Sequence, residues 1–335
     1  MPGSVQVSVF TNFEGGLTGS DPQADRAVAW FRECATAYPE IIWTHLYSPA
    51  YLLVEDGIDA VFTPYLLDVV RNEGAEIGIH AHLLLTWVAR TGVKPRATPD
   101  ASTDDCTAGT TPTPGYGVLL TGYEEDERAR IVDASIQGLT FNGFPPPTTF
   151  CAGYSAADPS LQAMLDGRGF SASFAAQPMP PLGHPASYPG CWHSSLAWSG
   201  HISPLTMPYR INCRTILPPP HDTDDYLNIV EVPLNMWVDT FPLTLNGEDV
   251  TRADMFDRHV AWAGANADST AVAIGVHAEI VAQEEFRDGP VAQVLKSFLD
   301  HVRERQNDSN VDIRFSRASD IAEVFLANTT TGKVD

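Results

Sequence analysis

Short apolar runs and longer amphipathic stretches alternate along the whole chain. The apolar runs are rich in β-branched residues, which predicts buried strands, and the stretches between them carry apolar residues at helical spacing. The predicted strands cover 5–11, 41–47, the first part of 74–87, 148–152, 170–174, 227–232, 271–277 and 311–315. The predicted helices cover 24–37, 58–72, 122–139, 160–165, 252–265, 284–305 and 320–326. Thr121 and Glu124 have the spacing of a capping box at the start of the third helix.

This order predicts an α/β fold with a parallel sheet and helical crossovers. Seven or eight such units favour a distorted (β/α) barrel over an open doubly wound sheet. The open flavodoxin-like sheet is the competing topology, but no glycine-rich phosphate loop follows the first strand. No internal repeat or break in composition divides the chain, so we expect one domain over 1–335.

Two segments lose all regular periodicity. Residues 92–117 are rich in Thr, Pro, Gly and Asp, which predicts a long loop. Residues 175–225 are dense in Pro, His, Trp, Tyr and Gly. That composition is too aromatic for a solvated linker, so we expect an irregular but ordered excursion packed on the barrel.

Composition narrows the partners and the compartment. The chain of 335 residues carries 42 acidic and 20 basic side chains, a formal net charge of −22, which makes nucleic acid and membrane poor partners. The start of the chain has neither a basic nor an apolar targeting segment, so we expect a cytoplasmic protein. No pair of the five cysteines has C-x-x-C spacing, and whether Cys191 and Cys213 pair is left open.

Polar residues follow the C-terminal ends of four predicted strands. In a parallel barrel these ends converge on the face where active sites lie. The residues are Asn12 and Glu14, His80 and His82, Tyr154, and His277 and Glu279. We therefore expect them to meet in one site.

Two of these histidines are spaced to share a face of a strand. Side chains two apart in an extended chain point the same way, so His80 and His82 project together. With Glu14 they form a two-histidine, one-carboxylate set suited to a divalent metal. Such a metal lowers the pKa of bound water and polarises a carbonyl, as amide or ester hydrolysis requires. His277 would then protonate the leaving amine, with Glu279 orienting its imidazole.

Five stretches match motifs of a known family in the correct order. They are Phe10–Gly15, Ala75–His80, Phe150–Tyr154, Val230–Pro233 and Gly275–Glu279. Together they resemble the NodB-like polysaccharide deacetylases, the family-four carbohydrate esterases and their relatives. The resemblance implies a distorted β/α barrel and a metal-dependent deacetylase or amide hydrolase. It also implies a bound divalent metal, zinc before cobalt, nickel or manganese, and a small N-acetylated or glycan-like substrate.

The chain departs from that family at three positions. The family spaces its metal histidines as H-x-x-x-H, but Leu84 stands four after His80. Asn12 or Phe13 stands where relatives have the aspartate base, and Cys151 stands where they have the arginine that steers it. An asparagine cannot accept a proton at neutral pH. The base therefore stays open among other groups, including Glu14, His193 and Asp222.

The sequence leaves further alternatives open. We expect Tyr154, Cys151 and Trp87 to contact the substrate, the aromatic rings by stacking. The missing aspartate and arginine favour a second hypothesis, a catalytically retired barrel that binds a carbohydrate or small molecule. A third is a lyase or isomerase that uses different acid and base groups. The oligomeric state is not predicted.

Overall fold

A computed structural model describes residues 3–14, 22–53, 59–96, 119–178, 198, 201–218, 225–238, 243–245 and 248–328. The strands are β1 (Ser4–Phe13), β2 (Trp43–Tyr47), β3 (Glu76–Ala81), β4 (Thr149–Ala152), β5 (Ala172–Ser173), β6 (Tyr209–Asn212), β7 (Tyr226–Glu231), β8 (Met236–Trp237), β9 (Leu243–Leu245), β10 (Glu248–Val250), β11 (Ser269–His277) and β12 (Asp312–Phe315). The helices are α1 (Gln23–Ala37), α2 (Ala50–Leu53), α3 (Asp59–Asn72), α4 (Leu85–Arg90), α5 (Glu125–Phe141), α6 (Pro159–Asp166), α7 (Arg252–Asn266), α8 (Ala278–Val281), α9 (Pro290–Asp308) and α10 (Ala318–Asn328).

Ten of the strands form one curled sheet, and β9 and β10 form a separate hairpin. The order across the sheet is β6-β7-β5-β4-β3-β2-β1-β11-β8, with β12 also beside β1. All described pairs within it are parallel except β6 with β7. This half-barrel confirms the predicted α/β fold.

The register brings the C-terminal ends of the central strands level. Asn12 of β1 lies opposite His277 of β11 on one side and Leu46 of β2 on the other. In the same way His80 of β3 lies opposite Cys151 of β4. Residues that share a row on one face of a sheet have neighbouring side chains. The strand ends therefore face a common space.

Each face of the sheet has its own apolar core. The inner core includes Phe10 and Phe174, and α10 closes it with Ile321 and Phe325. The outer core lies between the sheet and the surrounding helices, where Phe13 belongs to a large aromatic cluster. Strands buried on both faces explain why the sequence shows continuous apolar runs and little alternation.

At the N-terminal end of the sheet, one buried carboxylate joins three elements. Glu76 accepts hydrogen bonds from the hydroxyls of Thr44, Thr148 and Thr149. The backbone amide of Ser319 in α10 donates to the same carboxylate at 3.1 Å. A buried polar group is costly unless it is hydrogen-bonded in this way, so Glu76 attaches α10 to the N-terminal end of the sheet.

Two predicted helix starts are wrong. Glu124, not Thr121, caps α5, because its side chain accepts from the backbone of Glu127, whose own side chain bonds back to the Glu124 amide. The helix predicted from Glu284 begins at Pro290 instead. The Glu284 carboxylate turns back to accept the amides of Val291 and Ala292, which caps the helix that follows.

The pattern also missed several short elements, among them α4 and α8 after strand ends, β6 within the excursion, and β8. Each is too short to show a period. Most of the predicted loop and of the excursion lies outside the described residues, as does Cys191; the single-domain boundary stays a prediction. Among the described helices, none combines the length and the apolar character needed to cross a membrane.

Candidate metal centre

Three side chains from two strand ends meet at the C-terminal face of the sheet. Glu14 follows β1, His80 is in β3, and His82 directly follows it. One ligand atom from each lies within 4.8 Å of the other two. Both histidines are buried, at 2% and 6% exposed, while a third of the Glu14 side chain is exposed. The structure thus brings together the three residues predicted to bind a metal.

The donor set fits a divalent cation. Neither ring nitrogen of His80 has a hydrogen-bond partner among the described residues, although both are buried. Burial lowers the pKa of His82 to about 4, and His80 and His277 act in the same direction. The ring of His82 is therefore neutral at pH 7, which is the form that binds metal. Two imidazoles and one carboxylate suit zinc and similar ions.

A glycine makes room for the second histidine. A Cβ added at Gly153 would lie 2.9 Å from Cδ2 and 3.0 Å from Cγ of His82. Real Cβ atoms do not approach a ring this closely, so the imidazole occupies space that only glycine leaves free. Because His82 comes only two residues after His80, its ring lies against the backbone that follows β4, and Gly153 leaves room for it there.

His277 lies beside the same carboxylate. Its Nε2 atom is 3.3 Å from Glu14 Oε1, and 17% of its side chain is exposed. The imidazole stacks on the indole of Trp237, with ring centroids 4.2 Å apart and planes 9° from parallel. A histidine that is partly open to solvent next to the candidate metal ligands is placed to exchange a proton with a ligand.

The histidines control the charge of Glu14. Burial alone would raise the pKa of its carboxyl, but the nearby imidazoles of His277, His80 and His82 together outweigh burial. The pKa of Glu14 consequently lies well below its ordinary value. The group is a carboxylate at neutral pH, as a metal ligand must be.

Glu279 supports the backbone next to Glu14. Its Oε1 atom accepts the backbone amide of Glu14 at 2.8 Å and the hydroxyl of Tyr51 at 3.0 Å. Its buried Oε2 atom has no hydrogen-bond partner among the described residues. Burial, reinforced by the charge of Glu14, raises the pKa of Glu279 to about 7. Its predicted action on the His277 imidazole stays a prediction.

Two residues singled out in the sequence, Asn12 and Cys151, lie together. The side chains of Asn12 and Cys151 contact each other inside the barrel. Burial, with added effects of Glu231 and Glu14, raises the pKa of the Cys151 thiol, so it stays protonated. Oδ1 of Asn12 is buried without a hydrogen-bond partner in the described part of the chain. An uncharged pair therefore occupies this part of the wall.

The predicted substrate contacts are less well supported. Trp87 is fully buried in the outer core, so its ring has no face open for stacking on a ligand. That corrects the role expected for it. The side chain of Tyr154 and the alternative bases His193 and Asp222 lie outside the described residues.

Sequence reasoning did not consider Tyr51, and it named Trp237 only as one of several aromatic residues that could stack on a sugar ring. Tyr51 is in the four-residue helix α2, directly after β2. Trp237 is in the two-residue strand β8. Neither element is long enough to show a hydrophobic period. A search for polar and aromatic residues after every strand, including β2 and β7, would have found both.

Comparisons with known proteins bear on the fold. No model of a protein family matches the sequence, and no curated protein sequence matches it either. A candidate glycoside hydrolase or deacetylase from Parabacteroides distasonis has a similar structure, with a TM-score of 0.59 and 14% identity over 98% of this chain and 72% of that one. A candidate polysaccharide deacetylase from Mycobacterium smegmatis has a TM-score of 0.53 and 14% identity over 100% of this chain and 94% of that one. These similarities show the fold.

Proposed function

We propose that this protein is a metal-dependent deacetylase or related amide hydrolase. The observation that carries the proposal is the set of Glu14, His80 and His82 ligand atoms within 4.8 Å of one another, with His277 against Glu14. Two structurally similar proteins are named as candidate deacetylases, which agrees with this class of reaction.

Each residue has a definite task in the proposed reaction. Glu14, His80 and His82 hold the cation. When bound, a divalent metal supplies Lewis-acid chemistry that polarises a carbonyl and increases the acidity of water. His277 donates a proton from Nε2 to the leaving amine, and Glu279 keeps the Glu14 backbone in place.

The proposed substrate is a small N-acetylated or glycan-like molecule. The names of the two similar proteins, a polysaccharide deacetylase and a glycoside hydrolase or deacetylase, support a carbohydrate. The residues assigned here to the reaction are carboxylates and histidines, with no arginine or lysine. We therefore expect a neutral or cationic substrate and weak binding of phosphorylated sugars.

One observation favours the second candidate, a barrel that binds a carbohydrate without turnover. Asn12 and Cys151 are in contact. The family resemblance puts an arginine at Cys151 and the aspartate base at Asn12 or Phe13. Neither side chain accepts a proton at pH 7, because an amide is not basic and the buried thiol stays protonated. Hydrolysis would then need a base from another position.

The test is release of acetate from N-acetylglucosamine, its short oligomers and N-acetylated amines, with zinc, cobalt, nickel or manganese added. We expect turnover that falls more than about 100-fold in His80→Ala and His277→Asn. His301→Asn is the matched control, since His301 bonds to Asp257 on α7 and does not belong to the site.

The opposite outcome is equally clear. Saturable sugar binding without acetate release under every metal condition would contradict the hydrolase and support the binding protein. Turnover that survives His277→Asn unchanged would remove the proposed proton donor.

A further inference from the structure

The imidazole of His277 packs against an aromatic ring, the indole of Trp237. Trp237 lies 4.2 Å from it with the two planes only 9° from parallel. The χ2 torsion of a histidine has broad wells, so an isolated imidazole has considerable freedom to rotate. A parallel indole at this distance removes that freedom, because rotation of either ring would bring the two into collision.

Trp237 is itself fixed from the inside of the barrel. Its ring makes an edge contact with buried Phe10, at 5.1 Å and 74°. Phe10 occupies this position because Gly275 opposite has no side chain: a Cβ there would lie 2.1 Å from the phenyl ring. Gly275 and His277 are two apart on β11 and share a face. β11 therefore contributes both Gly275, which leaves room for Phe10, and His277, which stacks on Trp237.

Two polar contacts hold Trp237 from the outside. The indole Nε1 donates to Gln177 Oε1 at 3.4 Å, and Arg252 Nε donates to the Trp237 carbonyl at 2.9 Å. The segment that carries Gln177 is attached to the sheet in turn, because Glu231 accepts the backbone amides of Ala175 and Ala176 at 2.6 Å. The start of the excursion therefore fixes the indole.

We propose that Trp237 is a positioning residue that keeps the His277 imidazole in one orientation, with Nε2 toward the site. This inference rests on the proposed function, in which His277 is the proton donor. The face of the indole toward His277 is covered by the imidazole, so we assign Trp237 to the histidine and not to a sugar ring.

The first test needs no substrate. In a folded protein the ring current of a parallel indole shifts the imidazole carbon-bound protons, and His277→Asn identifies their NMR signals by removing them. We expect these signals to be strongly shifted in the wild type, partly shifted in Trp237→Phe, and close to unperturbed positions in Trp237→Leu. Trp262→Leu is the matched control, because it removes a half-buried indole from α7.

The second test uses the substrate identified by acetate release. A positioning residue acts on the proton transfer, so Trp237→Leu is expected to lower kcat about tenfold or more with KM changed less than about threefold. Trp237→Phe keeps a flat ring and is expected to restore most of kcat. Trp262→Leu should leave both constants near wild type.

The outcomes separate this inference from the proposed function. Unchanged His277 signals in folded Trp237→Leu would overturn it whether or not the protein is an enzyme. A raised KM with unchanged kcat would also overturn it, since Trp237 would then contact substrate. If no substrate is hydrolysed, the proposed function fails, while the NMR comparison still decides whether the Trp237 indole stacks on His277.

Discussion

The buried polar groups around Glu76 and around His80, at opposite ends of the curled sheet, differ in how completely they are hydrogen-bonded. At the N-terminal end, Glu76 receives three hydroxyls and one backbone amide. At the C-terminal end, both ring nitrogens of His80 and one oxygen each of Asn12 and Glu279 are buried without a hydrogen-bond partner among the described residues. A buried polar group without a partner costs about 1–3 kcal/mol, so the second arrangement lowers the stability of the protein.

We infer that the hydrogen-bonded Glu76 has a structural role and that the groups without partners around His80 have a binding role. Glu76, at the N-terminal end of the sheet, links α10 to the strands. Its four hydrogen bonds occupy both carboxyl oxygens. The groups without partners at the C-terminal end are the imidazole nitrogens of His80 and one oxygen each of Asn12 and Glu279, which a cation and a polar ligand can satisfy. The polar groups at the N-terminal end of the sheet therefore stabilise the fold, while those at the C-terminal end are available to bind a ligand.

Removing the bottom carboxylate is expected to have the largest effect on stability. Glu76→Ala leaves the buried hydroxyls of Thr44 and Thr149, the half-buried hydroxyl of Thr148 and the Ser319 amide without their acceptor. The free energy of unfolding should therefore fall by about 3–5 kcal/mol. Urea unfolding measures it. Glu73→Ala, at an exposed position directly after α3, should change stability by less than about 0.5 kcal/mol. A small loss in Glu76→Ala would mean that α10 is held by its apolar contacts alone.

A pH series tests Glu231, a buried carboxyl group at the C-terminal end of β7. Burial raises the pKa of Glu231 to about 8, against hydrogen bonds that lower it. In the unfolded chain this group ionises near its ordinary value of 4.5, so its contribution to stability is complete below pH 4.5 and is lost as pH rises toward 8. Relative to Glu231→Gln, the wild type should lose up to about 1.4 kcal/mol per pH unit over this window.

The comparison with Glu231→Gln isolates that group, because other titrations are shared by both proteins. Gln keeps the carbonyl oxygen that accepts the Ala175 and Ala176 amides. Parallel stability curves for the two proteins between pH 5 and pH 8 would show that Glu231 is ionised in the folded state.

The smallest expected effect concerns the space beside His82. Gly153→Ala forces a methyl group against the imidazole, so metal affinity should fall about tenfold while the fold persists. Titration with zinc or cobalt measures it. Gly167→Ala is the matched control, since a Cβ there meets only ordinary contacts at 3.5 Å. Equal affinities in the two variants would show that His82 is not a ligand.

Much of the fold follows from the sequence because the strands are buried on both faces. Their apolar runs identified eight strands of the sheet and the main helices between them. The two-residue β8 and the antiparallel β6 could not be predicted, since each depends on tertiary pairing with β11 and β7. Likewise, the start of α9 depends on a carboxylate that turns back to cap it.

The candidate site could be predicted in part. Strand-end placement correctly brought Glu14, His80, His82 and His277 together. Two features could not be predicted from the sequence: the hydrogen bond from the Glu14 amide to Glu279, and the burial of the Trp87 ring in the outer core. Both residues are in short helices, and strand spacing does not determine which way a residue in a short helix faces.

Metal binding is the most direct test of the candidate centre formed by Glu14, His80 and His82. Protein purified without chelator, or reloaded with zinc, is analysed for metal content together with His80→Ala, His82→Ala and the surface control His301→Asn. We expect one divalent ion per chain in the wild type and in His301→Asn, and none in the other two folded variants. A folded wild type that takes up no zinc, cobalt, nickel or manganese would contradict it.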